Sequence, residues 1–147
     1  MFTATAEDTE AVGARLGRLL APGDLVLLEG ELGAGKTTFT RGVARGAGFK
    51  GRVSSPTFAL AHVYRGKRLT VHHLDMYRLA DGDPSEVGLD DLLRDPKAAV
   101  VVEWPGAAAD GWPKERLEVR LAHARAGRKL VFKARGARAK ALVGKLA

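Results

Sequence analysis

Residues 25–42 read LVLLEGELGAGKTTFTRG, and this stretch decides the fold. LVLLEG (25–30) is a short continuous apolar run closed by a glycine. Such a run reads as a strand buried on both faces, the kind found in parallel sheets. TTFTRGVARGAG (37–48) sets Phe39 and Val43 one turn apart, the spacing of a helix with an apolar side. Between the two, Gly30, Gly35, Lys36 and Thr37 fit the pattern G-x-x-x-x-G-K-[ST]. In that pattern backbone amides and the following helix N-terminus hold anionic oxygens. Gly33 and Gly35 permit the backbone angles and the close approach this needs. Lys36 is placed to reach β- and γ-phosphates, and the Thr37 hydroxyl to bind Mg2+. A strand before and a helix after separate a phosphate loop from a glycine turn with an incidental lysine.

Working outward, Val12, Leu16, Leu19 and Leu20 share one face at helical spacing. Thr5 with Asp8 forms a capping signal at the start, and Pro22-Gly23 ends the helix. Downstream, GRVSSP (51–56) is loop by composition. TFALAHVY (57–64) and LTVHHLDMY (69–77) predict two strands joined by an RGKR turn. Asp83-Pro84 with Glu86 marks a helix start that VGLDDLLRD extends and Pro96 stops. AAVVVEW (98–104) is a second buried strand. LEVRLAHA and RKLVFKAR around ARAG predict an antiparallel hairpin, and ARAKALVGKLA a terminal helix. The expected fold class is α/β: a P-loop NTPase-like three-layer sandwich with a mixed, largely parallel sheet and that hairpin near the C-terminus. Residues 1–147 are expected to form a single P-loop ATPase domain.

A chain of 147 residues buries a core without staples, and with no Cys it holds neither disulfides nor Cys-based zinc. MFTATAEDTE is acidic with no apolar run, and no apolar stretch approaches a membrane span. A cytoplasmic protein without membrane contact is expected. The net charge of +7 is uneven. Residues 1–113 carry 13 Lys and Arg against 15 Asp and Glu, and residues 114–147 carry 11 against 2. A basic end on a near-neutral body reads either as an acidic or RNA partner, or as a solvated surface.

A phosphate loop also needs an acid near Mg2+, usually at the end of a neighbouring apolar strand. Glu103 ends AVVVE and Asp75 ends VHHLD. Either carboxylate can meet the metal directly or through water; the alternative for each is a strand-end acid facing solvent. Thr57, in SSPTF (54–58), sits where GTPase-like proteins sense the γ-phosphate, or is a hydroxyl that starts a strand. His72 and His73 are adjacent on a strand and face opposite sides. All four histidines read as structural or surface residues. Trp104 reads as core, or as a wall of the site next to Glu103. The guanine-reading Asn-Lys-x-Asp signature is impossible in a chain without Asn, which favours ATP.

LLEGELGAGKTTFTRG, SSPTFAL, HHLDMYRL and VVVEWP, in that order and spacing, resemble the TsaE (YjeE) family over nearly the whole chain. The resemblance implies a small P-loop ATPase needed to make threonylcarbamoyladenosine next to the anticodon of tRNA. It implies ATP and Mg2+ as cofactors and a TsaD–TsaB complex as partner, with tRNA met through that complex and no DNA. The transferase is the partner. By the same resemblance Leu32, Gly33, Ala34, Gly35, Lys36 and Thr37 match the nucleotide loop, with Thr38 beside it. Thr37 and Glu103 match the Mg2+ ligands, Asp75 the acid needed for hydrolysis, and Thr57 the switch-like S-P-T segment, while Trp104, grouped with Thr57 as switch-like, follows Glu103 as in the family. Ala6 and Gly127 match further nucleotide contacts, and Arg128 beside Gly127 is placed to add charge there. Lys36, Asp75 and Glu103 form the catalytic set. Arg78, or an arginine of a partner, is the candidate arginine finger. Two rival functions are a small-molecule P-loop kinase and a nucleotide-gated RNA-binding protein.

Overall fold

Helix α1 (Ala6–Leu19) begins where its capping signal predicts. The Thr5 hydroxyl accepts from the Asp8 amide and the Asp8 carboxylate accepts from the Thr5 amide, both at 3.1 Å. This reciprocal box satisfies amides that a helix start otherwise leaves bare. Val12, Leu16 and Leu20 are buried and Leu19 half-buried, so the apolar stripe is the packed face. The computed structural model describes residues 1–54, 61–77, 88–104, 106 and 111–147.

Ahead of α1, Phe2–Thr3 forms a short strand, β1, which no alternation in the sequence announces. After α1 come β2 (Leu25–Glu29), α2 (Lys36–Gly46), β3 (Ala61–Arg65) and β4 (Thr70–Asp75). Then follow α3 (Leu89–Arg94), β5 (Ala98–Glu103), β6 (Arg116–Ala124), β7 (Gly127–Arg135) and α4 (Ala137–Leu146). The predicted strand over 57–64 is described from Ala61 onward, and the helix start at Asp83-Pro84 lies outside the described residues. The β6–β7 hairpin closes on Arg125-Ala126, with Ala124 opposite Gly127.

The strands form one sheet in the order β1-β7-β6-β2-β5-β4-β3. The four inner strands β6, β2, β5 and β4 run parallel, and β3, β7 and β1 add antiparallel edges. This is a mixed α/β sheet, parallel at its centre as the apolar runs LVLLE and AAVVVE predict, with three parallel and three antiparallel pairings among the described strands. β5 is buried along its whole length, as a central strand covered on both faces must be.

The two faces are covered unequally. On one, α1, α2 and α4 bring Leu16, Phe39, Val43 and Leu142 against Val26, Leu28, Val101 and Val119. On the other, described residues of α3 and Trp112 cover Leu25, Leu27, Val100 and Val102. α1 and α2 lie backbone to backbone, because a Cβ at Gly42 would collide with the Glu10 carbonyl and one at Gly13 with the Phe39 carbonyl. α4 is tied back by Arg138, whose Nε and Nη2 donate to the Asp24 carboxylate at 3.0 and 2.8 Å. Asp24 also accepts from the Ala21 amide at 2.8 Å, so the turn entering β2 is fixed from two sides.

Candidate active site

The glycine loop runs from β2 into α2 with the backbone its residue types predict. Gly33 has φ 77° and Gly35, the N-cap of α2, has φ 105°, both in the left-handed region that glycine adopts without strain. No side chain caps α2, so its first-turn amides are offered to a ligand. Arg128 on β7 fixes the loop from behind: Nε donates to the Ala34 carbonyl at 3.1 Å and Nη2 to the Gly33 carbonyl at 3.2 Å. With the Ala34 carbonyl held there, planarity of the trans peptide points the Gly35 amide the other way.

Lys36 is buried at the head of α2. Its Nζ donates to the carbonyls of Gly30 at 2.6 Å and Glu31 at 3.0 Å, and lies 4.0 Å from the centre of the Trp104 ring. Burial pulls its pKa below the ordinary lysine value, while Glu103 and Asp75 push it back up. Trp104 itself has φ 57°, a conformation that an aromatic residue adopts only when its surroundings impose it. Its amide donates to the Leu28 carbonyl at 3.1 Å, and its ring packs on Tyr77 with centroids 5.1 Å apart.

Asp75 and Glu103 end adjacent parallel strands and are direct register partners. Both are buried, and Asp75 Oδ1 accepts from the Tyr77 amide at 2.9 Å. Register puts His73 and Asp75 on the same face of β4 as Glu103 on β5, the face that α2 covers. His73 is completely buried, with Nε2 3.3 Å from Glu103 Oε1. His72 points to the opposite face, 3.3 Å from Asp95.

These walls form a cleft of about 520 Å3 lined by Gly33, Gly35, Lys36, Thr37, Asp75, Glu103 and Trp104, and also by Leu32, Thr38 and Tyr77. A smaller hollow of about 160 Å3 adjoins it, sharing Gly33, Gly35 and Thr38. That hollow is lined by Ala6, Gly127 and Arg128, so residues from the two ends of the chain meet beside the loop. Ala34 is buried beneath the loop, and Leu32 is 87% exposed at its tip. Thr57 and Arg78 lie outside the described residues. Among the described residues no three His, Asp or Glu side chains converge as a cation cage. One hydroxyl and two carboxylates beside a phosphate loop suit Mg2+, which keeps several waters and takes few protein ligands alongside phosphate oxygens.

The sequence profile of "Threonylcarbamoyl adenosine biosynthesis protein TsaE" matches residues 3–130. The chain belongs to the TsaE family. It is 38% identical over 117 residues to the "tRNA threonylcarbamoyladenosine biosynthesis protein TsaE" of Bacillus subtilis, covering 80% of this chain and 73% of the relative. The protein of that name from Streptomyces coelicolor is 44% identical over 114 residues, covering 75% and 76%. The crystal structure of Bacillus subtilis YdiB superposes with a TM-score of 0.85 at 32% identity, covering 99% of this chain and 91% of that one. The TsaE match thus spans the loop, both acids and the hairpin residues Gly127 and Arg128. No described helix is long and apolar enough to cross a membrane.

Two arrangements in this TsaE chain are invisible in the spacing. Arg128 sits beside Gly127 in a basic run, and only β7 folding back on the loop gives it two carbonyls to hold. His73 reads as one of four histidines; its one signal is an alternation that puts it on the same strand face as Asp75.

Proposed function

We propose that the protein binds ATP with Mg2+ and hydrolyses it in support of threonylcarbamoyladenosine formation in tRNA. It acts with a TsaD–TsaB complex that performs the transfer, as a component without membrane attachment in the cytoplasm. The nucleotide part is carried by one observation: Lys36 and the paired acids Asp75 and Glu103 line a single cleft at the head of α2. The tRNA part rests on membership of the TsaE family and on what its relatives are named for.

The chemistry follows from how this chain places its groups. Phosphoryl transfer asks for positioning and charge stabilisation rather than covalent help. Lys36, held on two carbonyls and a ring, has only weak partners; phosphate oxygens are stronger ones, since both groups are then charged. Within Gly33 to Thr37 the loop and the uncapped helix start add amide donors, apart from that of Ala34, which is taken by the Glu31 carbonyl at 3.0 Å. Thr37 and Glu103 are the residues that would hold Mg2+, which supplies charge neutralisation at the phosphate oxygens. Asp75, with one oxygen on the Tyr77 amide, keeps the other to order the attacking water. Ala6, Gly127 and the adjoining hollow receive the nucleoside end. Absence of Asn removes the guanine-reading signature and favours ATP. Turnover of the isolated chain is slow, because no motif fixes an arginine finger in it: Arg78 or an arginine of the partner is the candidate, and Arg128 is engaged with loop carbonyls.

The test is threonylcarbamoyladenosine formed over many turnovers by the purified partner enzymes, with this chain, with Lys36→Ala and with Glu103→Ala. The wild-type chain is expected to raise product per partner complex several-fold and both variants to fail. Equal product with and without the chain would end the proposal.

A further inference from the structure

Behind the acid wall lies a polar chain that phosphate binding does not use. His73 faces Glu103 with Nε2 and Tyr64 with Nδ1, the latter at 3.1 Å. The Tyr64 hydroxyl, on β3, also lies 3.0 Å from the Ser54 carbonyl and 3.4 Å from His62 Nδ1. His73 Nε2 and Glu103 Oε1 are both buried, and neither has a hydrogen-bond partner: their 3.3 Å approach is a contact that falls short of hydrogen-bond geometry.

Counting hydrogens decides how this chain is wired. Burial raises the Tyr64 pKa, so the phenol keeps its single hydrogen. That hydrogen has two acceptors close by, the Ser54 carbonyl at 3.0 Å and His73 Nδ1 at 3.1 Å, with His62 Nδ1 farther off at 3.4 Å. Given to Ser54, it obliges a His73 ring with a single hydrogen to carry it on Nδ1 in order to bond Tyr64. Nε2 then turns a bare lone pair on a buried carboxylate, leaving two acceptors face to face. Given to His73, it leaves the proton on Nε2, which donates to Glu103, while the Tyr64 oxygen accepts from His62. Ser54 is an exposed residue whose carbonyl has a second lone pair to offer to solvent, whereas Glu103 Oε1 and His73 Nε2 are buried and face only each other.

We propose that His73 is a positioning residue for Glu103: Tyr64 holds it in the Nε2–H tautomer, and that N–H orients the carboxylate that faces the nucleotide's metal. The proposal rests on the Mg2+ reading of Glu103 given above. Outer-shell partners that hydrogen-bond metal ligands commonly carry effects of about 10–100-fold in metal affinity or activity.

Two measurements on the full chain test it. Two-bond 15N–1H NMR of His73 reads the tautomer directly, whether or not the chain hydrolyses anything. A protonated Nε2 with bare Nδ1 is expected, and a protonated Nδ1 with bare Nε2 overturns the proposal. Mn2+ binding to the ADP-loaded protein, followed by EPR, tests the consequence. His73→Asn keeps an amide near Tyr64 but withdraws the group at Glu103, and is expected to weaken Mn2+ about ten-fold while metal-free ADP affinity holds. His73→Gln, whose amide reaches the Nε2 position, is expected to recover most of the loss; equal loss in both variants overturns the role. Glu103→Gln separates the failures. If it binds Mn2+ like wild type, the metal reading of Glu103 falls and takes the proposal with it. If it loses Mn2+ while His73→Asn does not, the positioning role alone is wrong.

Discussion

The two walls of the cleft are built by different means. The Lys36 wall is one unbroken run from β2 through the glycine loop into α2. The Glu103 wall is assembled from β4 and β5, with Tyr64 of β3 behind His73. In the first, adjacent residues and left-handed glycines trace the loop, and one distant side chain, Arg128, braces it. In the second, Asp75 meets Glu103 only because two parallel strands pair in register. Affinity for phosphate is therefore a largely local property of this chain, whereas placing the metal and the attacking water depends on the sheet.

The contrast is broken most directly at its two ends. Lys36→Ala should reduce ATP hydrolysis on the order of 100-fold or more, measured by phosphate release, and weaken nucleotide binding without metal. Glu103→Ala should match the loss of hydrolysis yet leave metal-free nucleotide affinity within about two-fold. Trp104, stacked near Lys36, offers a fluorescence signal for that binding. If both variants lose metal-free binding alike, the walls are not separate devices.

Arg128→Ala sharpens the comparison from the local side. It removes the two bonds that hold the Gly33 and Ala34 carbonyls. The KM for ATP is expected to rise about ten-fold with kcat nearly unchanged, the pattern of lost ground-state binding. An unchanged KM would show that the glycine loop holds its shape without β7.

The smallest expected effect lies on the far face of the sheet. Bonds from the Lys97 amide first, and from His72 second, hold the Asp95 carboxyl below its ordinary pKa. The unfolded chain thus takes up that proton more readily than the folded one. The contribution is present above the ordinary carboxylate value and vanishes as pH falls through the lowered one. Asp95→Asn should lower Tm slightly at neutral pH, with the gap closing in acid and nucleotide affinity untouched. A gap that widened in acid would contradict the sign, and a loss of affinity would tie this face to the cleft.

Much of the architecture was legible in the sequence. LVLLE and AAVVVE are apolar at every position but the last, which only a strand covered on both faces tolerates, and both are central. Thr5 and Asp8 form the box that their spacing predicts. β1 escaped because two residues carry no periodicity; Phe2 and Thr3 are a strand only because β7 offers them an edge at Lys129 and Arg128. The close seat of α1 on α2 escaped for a similar reason, since glycine in a helix signals nothing until another backbone lies against it.

By itself the sequence determined the phosphate loop, the adjoining helix and strand, and the two acids at strand ends. Those depend on local covalent geometry, glycine's backbone freedom and hydrophobic periodicity, all of which act between near neighbours in the chain. Tertiary structure alone decided that Asp75 stands opposite Glu103, that His73 and Tyr64 back that pair, and that Arg128 braces the loop from β7. Each of these is a contact between residues far apart in sequence. A buried carboxylate or carbonyl must find a donor within about 3 Å, and only the closed sheet determines which side chain is there to supply it.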